Sequence, residues 1–251
     1  MKASQNTLNS LFKQKIFHLV VRLGEMSGLN VAKLRLLLQT LALPALIVFL
    51  STRSSVAASI DLGEDEMDRL KRGEILLQTL QSEKPGIAAR VTALFHSNAD
   101  SVWDIIGFCK YEFIYVRGLK ECEMLEGDQF QMTMHHRLRN SWYSPTLDFT
   151  FKAMREPGGY GHTQLLEGDL KVFEGQWEFF PLSDDNAVIV VHQLRIQPKF
   201  PAPKWLVRRS LRNDLPDMLA CIRGLARASG DKRHIEDDLE RCPGQLSELP
   251  K

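Results

Sequence analysis

The feature that most constrains this chain is an amphipathic stretch, residues 203–229, lying beyond a series of alternating segments. Val207, Leu211, Leu215, Met218, Ile222 and Leu225 recur in it every three or four positions and fall on one face of a helix. Arg208, Arg209, Arg212, Arg223 and Arg227 fall mostly elsewhere on the cylinder. So apolar a stripe needs a surface to cover, and the preceding residues supply mainly strands. Pro216 removes one backbone donor and predicts a kink, with Asp214 placed to cap a restart.

The period before that helix is two. Residues 61–81, charged and then apolar (Ile75, Leu76, Leu77, Leu80), read as a short helix leading into a strand with the boundary between them open, and residues 87–96 as a first long strand. Ser97-Asn98-Ala99-Asp100 breaks it and caps a short helix carrying Val102, Trp103, Ile105 and Ile106, and a second short helix follows at 110–115. Residues 119–125 read as a strand with Glu126-Gly127-Asp128 as its turn. Phe130, Met132, Met134, His136 and Leu138 then alternate with polar residues, as do Leu147, Phe149, Phe151 and Ala153. After the turn at Pro157-Gly158-Gly159, residues 162–172 read as a strand. Phe173, Gly175, Trp177 and Phe179 share one face of the next. After a turn at 183–186, the β-branched run 187–196 is the last strand. One apolar face per strand marks an antiparallel sheet with one dry side. The predicted class is α+β, a curved antiparallel sheet wrapped around a long C-terminal helix, with two short helices after the first strand.

Residues 1–58 stand apart. The run 36–50 holds no charge, Lys33 and Arg35 precede it, and Val56-Ala57-Ala58 ends the small-residue segment after it. Basic, apolar, small is the order of a secretory signal, and the run is shorter than the roughly 20 residues needed to span a bilayer. The leading part is long for a signal, which a start at Met26 would explain. An uncleaved membrane anchor and a transit peptide are the other readings. The expectation is therefore an exported (periplasmic or extracellular) or membrane-anchored protein: a targeting segment at 1–58, a linker at 59–69, a binding domain at 70–229 and a loose charged tail at 230–251. Export would permit one or two disulfides among Cys109, Cys122, Cys221 and Cys242, in a pairing that sequence does not give. No pair has CxxC spacing, so neither a zinc nor a thioredoxin-type motif is indicated. A formal net charge of +1 gives no global sign of a nucleic-acid partner.

Several pieces in this order resemble the START-like superfamily with its helix-grip fold, and within it the polyketide cyclase/dehydrase and coenzyme Q-binding group. They are Ala99-Asp100-Ser101-Val102-Trp103, the segment 113–125 (FIYVRGLKECEML), Glu167-Gly168-Asp169-Leu170 with Phe173-Glu174-Gly175-Gln176-Trp177, and 211–219 (LRNDLPDML). The resemblance covers roughly 70–228; Tyr115 stands where relatives often have proline. It implies a cavity between sheet and helix for a lipid, quinone or polyketide, with no cofactor, and implies a binding site more strongly than a reaction.

Phe130, Met132, Met134, Leu147, Phe149, Phe151, Trp177 and Phe179 are expected to face the helix, either filling a core or, with Phe113, Leu211 and Leu215, lining a cavity. Methionines and aromatics suit an irregular apolar guest. His136 and His192 sit among apolar neighbours, as structural histidines or as hydrogen-bond partners for a ligand carbonyl or hydroxyl. His135 and His136 point to opposite faces and are not a metal pair. HExxH and G-x-S-x-G motifs are absent, and Glu167, Asp169 and Glu174 read as turn acids. Lys204, Trp205, Arg208, Arg209 and Arg212 make a basic and aromatic helix start, either a solvated face or a membrane-docking edge. Three readings follow: a carrier for a hydrophobic small molecule, a cyclase or dehydratase using an inward histidine beside a polar partner, or an interaction module with a filled interior.

Overall fold

Two helices and one sheet position everything that follows. The structure, a computed structural model, describes residues 60–81, 83–139, 145–156, 159–182, 186–226 and 235–244. The targeting segment expected at 1–58 lies outside them. Helix α1 (Glu64–Lys71) leads into β1 (Leu76–Leu80) and β2 (Ile87–Phe95). Two short helices follow, α2 (Ala99–Trp103), capped by the Asn98 side chain accepting from the Ser101 N–H at 2.8 Å, and α3 (Cys109–Tyr115). Then come β3 (Leu119–Gly127), β4 (Gln131–Leu138), β5 (Leu147–Glu156), β6 (Tyr160–Gly168), β7 (Leu170–Leu182) and β8 (Ala187–Pro198). Helix α4 (Lys204–Ala226) is the long element, and α5 (Ile235–Glu240) follows it.

The eight strands among the described residues form one antiparallel sheet in the order β1-β2-β8-β7-β6-β5-β4-β3. The sheet is curved and unclosed, and α4 lies against its concave side: this is the helix-grip arrangement. Leu211, Leu215, Leu219 and Ile222 of α4 pack on Val91, Ala93 and Phe95 of β2, Val188 and Val190 of β8, and Trp103. Buried apolar side chains stabilise such a core by about 1.5–3 kcal/mol each.

Several sequence expectations need correction. The helix runs through Pro216 without a break. Asp214 caps nothing there; its carboxylate accepts from the Ser210 hydroxyl and from Arg117 Nε at 2.8 Å. The short helix and strand read within 61–81 are α1 and β1, so the two short helices follow the second strand and not the first. The stretch 59–69 holds most of α1, whose Leu70 is fully buried with Leu94, Phe180, Ile189 and Val191 on the other side of the sheet. That side is therefore partly dry as well, which explains the unbroken apolar run of β8: Val188 and Val190 face α4 while Ile189 and Val191 face α1. The strand read as 162–172 ends at Gly168. That residue has φ +114°, and a Cβ there would meet the Asp148 and Phe149 backbone, so the chain turns where only glycine fits.

Residues 235–244 of the expected tail are tied to the domain despite their charge. Arg223 is buried and pairs in two contacts of 2.7 Å with Asp238 of α5. Cys242 is joined to Cys221 of α4. The second disulfide joins Cys109 of α3 to Cys122 of β3.

Candidate ligand-binding cavity

Between α4 and the β4–β8 part of the sheet lies a cavity of about 610 Å³, within the usual range for a small-molecule site. Its wall is mainly apolar. Met132, Met134, Leu147, Phe149, Phe151 and Trp177 line it from the sheet, and Leu211, Leu215 and Met218 from α4. Phe149, Phe151 and Phe173 form an aromatic group with ring centroids 5.0–5.9 Å apart. Alternation along β4, β5 and β7 brings these rings to one face, as the period-two pattern predicts.

His136 and His192 also line the cavity, but in different states of support. His192 stacks on Trp177 with centroids 3.8 Å apart, and its Nδ1–H donates to the Gln176 carbonyl at 3.0 Å. Burial pushes its pKa from 6.5 down to about 4, so the ring is neutral at physiological pH. His136 reaches Glu112, with Nε2 and Oε2 2.6 Å apart and both side chains only 7 % exposed. Tyr115 completes this group. Its hydroxyl accepts from the Gly107 N–H at 3.2 Å and bonds Glu112, and burial together with that nearby carboxylate pushes its pKa well above the ordinary value. The Cys122 sulfur lies 3.5 Å from His136 Nε2. Glu112, Cys122 and His136 converge closely enough to suggest metal ligands, but Cys122 is in a disulfide and offers no thiolate. Thr163 adds a buried hydroxyl that has no hydrogen-bond partner among the described residues.

Three expected lining residues lie elsewhere. Phe130 is 52 % exposed. The Asp128 carboxylate accepts from the N–H groups of Phe130 and Gln131 at 2.8 and 3.0 Å, so Phe130 sits in a turn and escapes the alternation of β4. Phe113 is on α3, where Glu112 and Tyr115 take the cavity side, and its carbonyl lies close to Gly244. Phe179 stacks on Trp103 at 4.4 Å, in the solid core beyond the cavity. Glu112 gave no signal in the sequence, because a lone acid on a short helix reads as solvated.

The mouth opens beside the start of α4, where Phe108, Phe200, Leu206, Arg209 and Ser210 contribute. Trp205 is 64 % exposed, Phe108 and Leu206 are exposed too, and Arg208, Arg209 and Arg212 all reach solvent.

Residues 98–223 match the family described as polyketide cyclase/dehydrase and lipid transport. The chain belongs to that family. Its fold is also that of solved structures at low identity. The STAR-related lipid transfer protein of Xanthomonas axonopodis is 16% identical, with 61% of this chain and 93% of that one covered and a TM-score of 0.53. Human StAR-related lipid transfer protein 5 is 12% identical, with 75% and 95% covered and a TM-score of 0.51. A looser likeness, which adds nothing to the fold assignment, is to an aromatase/cyclase of Streptomyces sp. R1128, 18% identical over 57% of this chain and 97% of that one, with a TM-score of 0.46. No curated protein matches the chain.

Proposed function

We propose that this family member is a carrier that holds one hydrophobic molecule, of lipid, quinone or polyketide type, between the sheet and α4. The observation that carries the reading is the cavity of about 610 Å³ walled by methionines, phenylalanines and leucines. At about 25 cal/mol per Å², a few hundred Å² of buried ligand surface supplies several kcal/mol before ordering costs, enough for a carrier without a covalent step. An open interior also removes the premise of the interaction-module reading, which required a filled one.

The second reading, a cyclase or dehydratase, gains one specific support: His136 has the polar partner that such a reaction requires, Glu112 at 2.6 Å. The two readings part on whether a ligand taken up is returned unchanged in mass.

Delivery to or from a membrane accounts for the mouth. Exposed Trp205, Leu206 and Phe108 beside Arg208, Arg209 and Arg212 form an apolar tip with a cationic rim, suited to an anionic bilayer surface. Two disulfides favour an oxidising compartment, in line with a secretory reading of residues 1–58. The carrier reading is tested by titrating the delipidated full chain with Nile red, a neutral apolar dye. Saturable uptake of one equivalent, displaced by lipid, is the expected result; no uptake would remove the reading.

A further inference from the structure

The cavity wall is mainly apolar, and besides His192 and Thr163 a group of buried polar side chains gathers in it where α3 packs on β3, next to β4. Cys109 and Glu112 are three residues apart on α3 and share a face. Cys122 of β3 is opposite His136 of β4 in the strand register. Packing α3 on these strands therefore sets the Cys109–Cys122 disulfide and the Glu112–His136 contact side by side. Tyr115, one further turn along α3, closes on Glu112 from the other side. The His136 ring stands edge-on to Phe151, with centroids 4.8 Å apart, so the group looks into the aromatic part of the cavity.

A buried acid–imidazole pair is an expensive way to stabilise a fold. Replacing such a pair by apolar side chains is often neutral or stabilising. Its position in the wall of a mainly apolar cavity gives it a use there. We infer that Glu112, His136 and Tyr115 form a hydroxyl-recognition subsite, which selects a hydrophobic ligand ending in an alcohol or phenol over one ending in a carboxylate. This rests on the carrier reading and names the chemistry of its guest.

The selectivity follows from proton counting. Nε2–H of His136 donates to Glu112, so the pair carries a net charge of zero or minus one according to whether Nδ1 is protonated. A ligand carboxylate meets no net positive charge in either state and would bring a further buried anion. A hydroxyl fits both states. It donates to a remaining lone pair of Glu112 or to an unprotonated Nδ1, or accepts from a protonated Nδ1. An ether or ketone can only accept, so it fits one state alone.

The test uses displacement of Nile red from the delipidated full chain by dodecan-1-ol, its methyl ether and dodecanoate, compounds of one chain length. The alcohol should compete at a concentration about tenfold or more below that of the ether, as for a hydrogen bond to a charged group, and dodecanoate should be weakest. In the double variant Glu112→Leu with His136→Phe, with each competitor referred to that variant's own dye affinity, the advantage of the alcohol over the ether should vanish. Equal competition by alcohol and ether, or preference for dodecanoate, would overturn the inference, and so would a folded double variant that keeps the preference. The wild-type order of competitors decides even if that variant does not fold. Failure of the chain to take up the dye at all would instead remove the carrier reading beneath it.

Discussion

Acidification tests how His192 is held. Its ring is 5 % exposed, stacked on Trp177, and bonded through Nδ1–H to the Gln176 carbonyl. Burial lowers the pKa from 6.5 to about 4, against the smaller raising effect of that hydrogen bond. Between those values the unfolded chain binds a proton that the folded protein refuses. Stability is therefore complete above the unfolded pKa and declines as pH falls through the window. At 1.36 kcal/mol per unit the whole shift is worth about 3 kcal/mol, and about 2 kcal/mol of it is lost by pH 5. The comparison is with His192→Gln, which retains a donor for the Gln176 carbonyl but does not titrate. Other ionisable groups are common to both proteins and cancel. Urea unfolding midpoints of the full chain, followed from pH 7 to pH 5, should show the wild type losing about 2 kcal/mol more than the variant. Parallel decline of the two would refute the picture of a dry, neutral ring.

Other perturbations address the cavity, its mouth and the end of α4. Phe151→Asp places a carboxylate in the middle of the aromatic wall and should abolish Nile red uptake in a protein that still folds by circular dichroism; uptake at the wild-type level would show that the residue does not face the guest. Arg208, Arg209 and Arg212 changed together to Glu should weaken sedimentation with phosphatidylglycerol-containing vesicles by more than about 100-fold, at about 1 kcal/mol per lost cation, and leave phosphatidylcholine vesicles little affected. Unchanged sedimentation would remove the docking edge. Arg223→Ala takes the guanidinium from the buried Asp238 carboxylate and should cost about 3–5 kcal/mol in urea unfolding, with a loss below about 1 kcal/mol contradicting the assignment.

The local chemistry of strands and helices made most of the scaffold readable. Alternation in 131–138 and 147–153 placed Met132, Met134, His136, Phe149 and Phe151 on the cavity side, and the three-four spacing of 203–229 placed Leu211 and Leu215 opposite them. What escaped was set by contacts distant in sequence. Phe130 follows the strand pattern, yet one carboxylate, Asp128, takes its backbone into a turn. Phe179 shares the parity of Trp177, but Trp103 arrives from α2 to fill the space beside it. Glu112 meets His136 only because α3 is laid on β3, beside β4, and Arg223 becomes buried only because α5 returns to cover it. Disulfide pairing belongs to the same class, since it depends on which elements the topology brings together.

In a carrier, a molecule occupies the space between sheet and α4. Native mass spectrometry of the protein as purified, without detergent, tests it most directly. A second species is expected, heavier by one lipid-sized molecule, extractable into organic solvent, and missing from Phe151→Asp. A single species of the bare polypeptide mass, unchanged after incubation with membrane lipid extract, would contradict it.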